Sequence, residues 1–162
     1  MTGAPKKSER LAARRAARLA AVQALYQMEI AGTDLNKIAT DTVIADGEGQ
    51  PGGDELVARE PEHFRKVIFG VVADQSVLDP DIDANLAKDW TLGRVDTTLR
   101  AILRAGAYEL RSMPDVPLKV VINEYINIAH AFFDGPEPKV VNAVLDALAG
   151  KYRPASGGRK GA

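Results

Sequence analysis

The chain predicts an all-α fold, a bundle of seven helices, on three observations. Apolar residues recur at three- and four-residue spacing in segment after segment. Strict period-two alternation appears nowhere. Pro, Gly or a capping residue stands at the segment ends.

Taken in order, Ser8 caps a long first helix to about Ile30, rich in Ala, Leu, Arg and Gln and closed by Gly32. Asp34 caps a second over about 35–45. Glu60-Pro61 opens a third, with Phe64, Val67, Ile68, Val71 and Val72 at helical spacing. Asp79-Pro80 starts a short fourth, to about Lys88. After Gly93 a fifth carries Leu99, Ile102, Leu103, Gly106 and Leu110 in one stripe. Asp115-Val-Pro117 starts a sixth, with Leu118, Val121, Ile122, Tyr125, Ala129 and Phe132 facing one way. Pro138 begins a seventh, with Val141, Val144, Leu145 and Leu148, ending at Gly150. The link between the fifth and sixth helices is short, so they should be antiparallel neighbours. Gly106 there costs about 1 kcal/mol against Ala in helix propensity, which a close helix crossing would justify.

The 162 residues fit one compact domain better than two, and 46% hydrophobic content suffices for a core. That domain is expected over 8–150, between disordered basic tails at 1–7 and 151–162. The Gly- and Pro-dense stretch 46–53 reads as a surface loop; it lacks a Gly-Lys-Ser/Thr ending and is no P-loop. There is no cysteine, which excludes disulfides and thiolate metal sites and suits a reducing cytosol. No apolar run approaches the ~20 residues of a membrane span, and the start lacks a signal-peptide core. A cytoplasmic protein with no membrane partner is expected.

Net charge is −1, but its distribution is uneven: +5 over residues 1–20, +4 over 150–162 and −10 between. Basic ends on an acidic body either keep the domain soluble or meet an anionic partner. The residues offer little for catalysis. His63 and His130 have no metal-ligand spacing to each other, and each reads as structural or surface-exposed. The run Asp79-Pro-Asp81-Ile-Asp83 begins like a calcium loop, yet its sixth position is Ala84 and its twelfth Trp90. Acids favoured by a helix N-terminus explain it better. No nucleophile motif or dinucleotide fingerprint stands out, so no enzyme, no cofactor and no metal are expected.

The strongest local signal is the arginine-rich first helix. At ~100° per residue, Arg10, Arg14 and Arg18 fall within about 80° and form one cationic stripe. Arg15 falls in the sector of Leu19, Val22 and Tyr26, where an arginine should not be buried. The first turns are therefore expected to project past the core with four guanidinium groups in solvent. Arginine's planar fork pairs with phosphate and stacks on bases. Four neutralised phosphates on a single strand imply a salt slope near about −3. Tyr26 offers either a stacking face or core packing. By pattern the nucleic acid is RNA or DNA. No helix-turn-helix or zipper is evident, and arginine-rich helices on small acidic domains tilt the reading to RNA.

Three blocks carry a family resemblance. They are the Arg-rich entry with Ala21-Val-Gln-Ala-Leu-Tyr26, then Val95-Asp-Thr-Thr-Leu-Arg-Ala-Ile-Leu-Arg-Ala-Gly-Ala-Tyr-Glu-Leu110, then Val116-Pro-Leu-Lys-Val-Val-Ile-Asn-Glu-Tyr125 continuing to Lys139-Val-Val-Asn-Ala-Val-Leu-Asp146. In order and spacing the chain resembles the NusB family of transcription antitermination factors. The resemblance implies seven helices in two small subdomains and no catalysis. It implies binding of boxA RNA from ribosomal RNA operon transcripts together with NusE, a ribosomal protein, within an antitermination complex on RNA polymerase. It places RNA contacts at Arg14, Arg15 and Arg18, with Arg10 added, at Tyr26, and at the Asp134–Lys139 turn, hence Lys139. Val140 stands where some relatives carry an aromatic residue, and Asn123-Glu124 matches a characteristic pair with a structural explanation. Some relatives are dimers. The alternative function is therefore a protein-only helical adaptor or homodimer whose arginine helix binds acidic protein surfaces.

Overall fold

A computed structural model describes residues 6–38, 40 and 60–154. Among these there is no strand, and the chain is all-α. Five long helices are present: α1 (Lys7–Ala31), α2 (Pro61–Ala84), α3 (Thr97–Ser112), α4 (Leu118–Phe132) and α5 (Glu137–Tyr152). A short helical stretch over 35–38 stands where the second helix was expected. The rest of that expected helix, the 46–53 loop, and most of both expected tails lie outside the described residues. No described helix is long and apolar enough to cross a membrane.

The chain divides into two compact units, Met1–Phe69 and Gly70–Ala162. In the first, α1 starts two residues earlier than Ser8 capping would allow. Lys6 is the extended residue before the helix, and its backbone N–H donates to Glu9 Oε1 at 2.9 Å. The Glu9 carboxylate at the third helical position satisfies an orphan donor and favours the helix dipole, which displaces Ser8 into the first turn. Gly32 ends α1 with φ +66°, its N–H donating to Met28 O at 2.9 Å. The buried residues of this unit include Ala13, Ala17, Ala21, Val22 and Leu25 of α1, Leu35 and Ile38, and Phe64, Val67 and Ile68 of α2.

The expected third and fourth helices are one. Pro80 lies inside α2, where a missing N–H and a clash with the preceding turn cost ~3 kcal/mol. Leu78 and Ile82 flank it at 0% exposure, and each contributes about 1.5–3 kcal/mol by burial. Packing outweighs the local penalty, so the helix continues to Ala84. Residues 85–96 then turn without helix. Arg100 organises this turn, Nη1 donating to Leu92 O at 2.8 Å and Val95 O at 3.0 Å.

In the second unit α3, α4 and α5 pack on one another. Asp96 caps α3 through the N–H of Thr98 at 2.7 Å and of Leu99 at 3.4 Å. The predicted stripes are buried here: Leu99, Ile102, Leu103 and Leu110 on α3, Val121, Ile122, Tyr125 and Ala129 on α4, and Val141, Val144, Leu145 and Leu148 on α5. Phe132, expected in the α4 stripe, is instead 44% exposed in the last turn.

Helix α5 passes Gly150 and ends at Tyr152. Residues 151–153, expected in a basic tail, are tied down. Lys151 Nζ and Tyr152 Oη both donate to Asp81, at 2.7 and 2.6 Å. The Arg153 guanidinium donates to Leu110 O at 2.9 Å, Met113 O at 2.8 Å, Glu109 O at 3.1 Å, and Val116 O. These carbonyls lie at and beyond the end of α3, near the negative end of its dipole; those of Glu109 and Met113 also accept the backbone N–H of Met113 and Val116.

Candidate nucleic-acid interface

Helix α1 sets where each arginine stands. Its buried side is centred on alanines: Ala13, Ala17, Ala21 and Ala24 are all at or below 4% exposure. At ~100° per residue these fall within about 80°, the arc that also holds Arg10, while Arg14 and Arg18 lie on its flank towards Leu25 and Val22. The expected solvent stripe therefore runs along the packed side of the helix. Arg10 is exposed only because it precedes the first buried turn. Arg14 is half-buried. Arg18 is 2% exposed and partnered inside the protein.

Arg15, in the sector of Leu19, Val22 and Tyr26, is exposed as expected. Leu19 is only half-buried, Leu11 is 50% exposed and Tyr26 is 41% exposed. Leu11, Leu19 and Tyr26 thus stand at the edge of the packed side, which the alanines share with the buried Val22 and Leu25. The expectation of four guanidinium groups in solvent is corrected accordingly: Arg10 and Arg15 are exposed, Arg14 in part, and Arg18 is interior.

Arg14 meets an acid of its own unit. Its Nε and Nη2 both approach Glu60 Oε1 at 3.2 Å, with the two side chains 34% and 23% exposed. Sequence reasoning missed Glu60 as a contact because it lies 46 residues away; it registered only as the residue before Pro61. Lys6 and Lys7 extend the cationic surface at the start of α1, and both are exposed. They stand at the positive end of the helix dipole, so the cations there gain nothing from their own helix. An anion arriving at that end relieves both charges and dipole.

Arg15 and Tyr26 lie within about 20° of one another around α1, roughly 16 Å apart along it. With the ring of Tyr26 partly in solvent, a base has a face to stack on there. Lys139 belongs to the second unit. It is exposed in the first turn of α5, where its N–H donates to Pro136 O at 3.0 Å. In the turn before it, Asp134, Gly135 and Pro136 are exposed and Pro138 is buried.

The acids expected to decorate a helix N-terminus sit at the other end. Asp79, Asp81 and Asp83 occupy the last turns of α2, where the dipole disfavours them, and each is held by a partner. Asp79 takes the Arg104 fork, two bonds of 2.8 Å. Asp81 takes Lys151 and Tyr152, and Asp83 accepts the Leu92 N–H at 2.9 Å. The Lys151 ammonium and the Tyr152 hydroxyl hold the Asp81 carboxyl below its ordinary 3.8, and burial with Asp81 beside it pushes the Tyr152 hydroxyl well up. His63 is buried in the first turn of α2, and His130 is exposed. Among the described residues no group of three His, Cys, Asp or Glu is placed to hold a metal ion.

A helical protein with a cationic leading helix, and with Asp79, Asp81 and Asp83 engaged in structural bonds, falls in the class of small all-α binding proteins. Comparison with known proteins narrows the class. The chain belongs to the NusB family, whose family model matches residues 15–150. It is 49% identical over 150 residues to the transcription antitermination protein NusB of Rhodopseudomonas palustris strain BisB18, covering 93% of this chain and 89% of that one. It is 50% identical over 149 residues to the same protein of Bartonella quintana strain Toulouse, covering 91% and 96%. Among solved structures, T. maritima NusB aligns with a TM-score of 0.70 at 31% identity over 88% of this chain and 94% of that one. A chain from the crystal structure of antitermination factors NusB and NusE in complex with dsRNA aligns at 0.69 with 21% identity, over 86% and 98%, a likeness of fold. The family is one of transcription antitermination factors, not of enzymes.

Proposed function

We propose that this chain acts in the cytoplasm as an RNA-binding antitermination factor. Its RNA is a single-stranded boxA-like segment of ribosomal RNA operon transcripts. The contacts come from Arg10, Arg14 and Arg15 with Tyr26 on α1, and from Lys139 on α5. A NusE-like ribosomal protein is the protein partner, and the RNA polymerase antitermination complex is the destination. The observation that carries this reading is the cationic start of α1, where Lys6, Lys7, Arg10 and Arg15 are exposed on a net-acidic protein. Concentrated like charges repel, and a polyanion removes the repulsion while the acidic remainder disfavours binding elsewhere. Arg18, being interior, supports α1 and is not assigned a strand contact.

Fluorescence anisotropy with a labelled boxA-like RNA, with and without a NusE-like partner, tests the proposal. Three arginine–phosphate contacts on a single strand give a slope of log K against log salt near about −2. A scrambled RNA should bind more weakly. A flat salt response with no sequence preference, together with salt-sensitive self-association or binding to acidic proteins, would favour the protein-only adaptor or homodimer.

A further inference from the structure

The Arg14–Glu60 contact has the form of a place already taken. Arg14 brings two guanidinium nitrogens to 3.2 Å from a single carboxylate oxygen of Glu60, Nε donating a hydrogen bond and Nη2 at ion-pair distance. An arginine's strongest anion contact is the two-oxygen fork, which a phosphate offers and this contact does not use. Glu60 stands immediately before α2, whose first residue is Pro61, and its side chain is largely covered while Arg14 keeps a third of its side-chain surface open. The carboxylate is thus held over one edge of the guanidinium, with the rest reachable from solvent.

We propose that Glu60 is an internal competitor for RNA phosphate at Arg14, setting the affinity and salt response of the α1 surface; this rests on the RNA-binding reading above. A strand that engages Arg14 must displace the carboxylate or share the guanidinium with it. In the first case the Arg14–Glu60 attraction is lost on binding. In the second, a phosphate sits beside a like charge. Either way Glu60 lowers the net gain from Arg14, and the surface discriminates against polyanions that cannot offer a well-aligned phosphate at that position.

The test uses the full chain and a fluorescein-labelled single-stranded boxA-like RNA in anisotropy titrations over a range of salt. Glu60→Gln keeps the shape and removes the charge. It should tighten binding by about two- to fivefold at low salt, the range an exposed ion pair is worth. It should also steepen the salt slope towards the full three-arginine value, by at most about 0.7, as the phosphate at Arg14 is no longer shared with a carboxylate. Glu60→Ala should move both in the same direction. In an Arg14→Ala background Glu60→Gln should change neither. Unchanged or weaker binding by both Glu60 variants, with helix content intact, overturns the competition, as does tightening that persists undiminished without Arg14. The RNA-binding reading is judged separately by Arg10→Ala with Arg15→Ala. If that pair weakens binding while the Glu60 variants do nothing, only the competitor role falls.

Discussion

Gly106 of α3 and Leu145 of α5 occupy one space: a Cβ at Gly106 would stand 2.8 Å from Leu145 Cδ1. Tyr125 of α4 closes the same point, its Cδ2 3.4 Å from that position. The glycine's low helix propensity is therefore tolerated for a three-helix junction, in which Leu145 at 0% exposure has no room to retreat. Helix propensity favours Gly106→Ala by about 1 kcal/mol, and overpacking opposes it by roughly 1–3. We expect Gly106→Ala to lower stability in urea unfolding. In a Leu145→Ala background the same change should raise it by about 1 kcal/mol. The same sign in both backgrounds would reject the steric account.

Arg153 fastens the end of α3. Its guanidinium serves four carbonyls contributed by Glu109, Leu110, Met113 and Val116. Charge-assisted bonds to part-buried acceptors are worth about 1.5–3 kcal/mol each where a partner is left unmade, with strong overlap among them. Arg153→Ala should cost roughly 2–3 kcal/mol in chemical denaturation. Lys should recover less than half, having one ammonium in place of a planar fork. A loss under about 0.5 kcal/mol, typical of surface substitutions, would show that these bonds are not kept in solution.

Arg15 and Arg18, three positions apart, should fail in different ways. Arg15→Ala together with Arg14→Ala is expected to weaken boxA-like RNA binding at least about tenfold, with unchanged helix content by circular dichroism. Arg18→Ala should instead lower the unfolding midpoint, because a partnered interior charge is removed and its partner stranded. If Arg18→Ala leaves stability intact and weakens RNA, the burial of that side chain does not describe the protein in solution.

Asp81 links acid to stability. Lys151 first, and then Tyr152, hold its folded-state carboxyl below 3.8. A group depressed on folding stabilises the folded state above its unfolded value, and that contribution disappears as pH falls through the lowered one. Stability should therefore drop below about pH 4 more steeply in the wild type than in Asp81→Asn. Since the pair is partly exposed, the difference should be modest and smaller at high salt. Parallel acid-unfolding curves would remove Asp81 from the account.

The helices of the second unit were legible because each stripe is a local property. Leu99, Ile102, Leu103 and Leu110 repeat at helical spacing whatever they pack against, and all are buried. The family was legible for the same reason, as three blocks in order along the chain. The buried Glu109, which accepts a hydrogen bond from Tyr125 Oη, was not. A carboxylate in a stripe of apolar residues gives no sign that a tyrosine 16 residues on will meet it.

By itself the amino-acid order determined an all-α chain, the packed stripes of α3 to α5, its family and the cationic character of α1. Periodicity, capping residues and charge runs are all written within a few turns. Only the tertiary structure decided which side of α1 packs, and with it that Arg18 is interior. Alanines at the centre of a helix face carry too little hydrophobic contrast to announce it, and the bulky Leu19 and Tyr26 at its rim mislead. The same holds for Pro80, kept in helix by the burial of Leu78 and Ile82, and for Arg153, whose acceptors lie 37–44 residues earlier in the chain. Such outcomes depend on which distant groups share a space, and that is a property of packing.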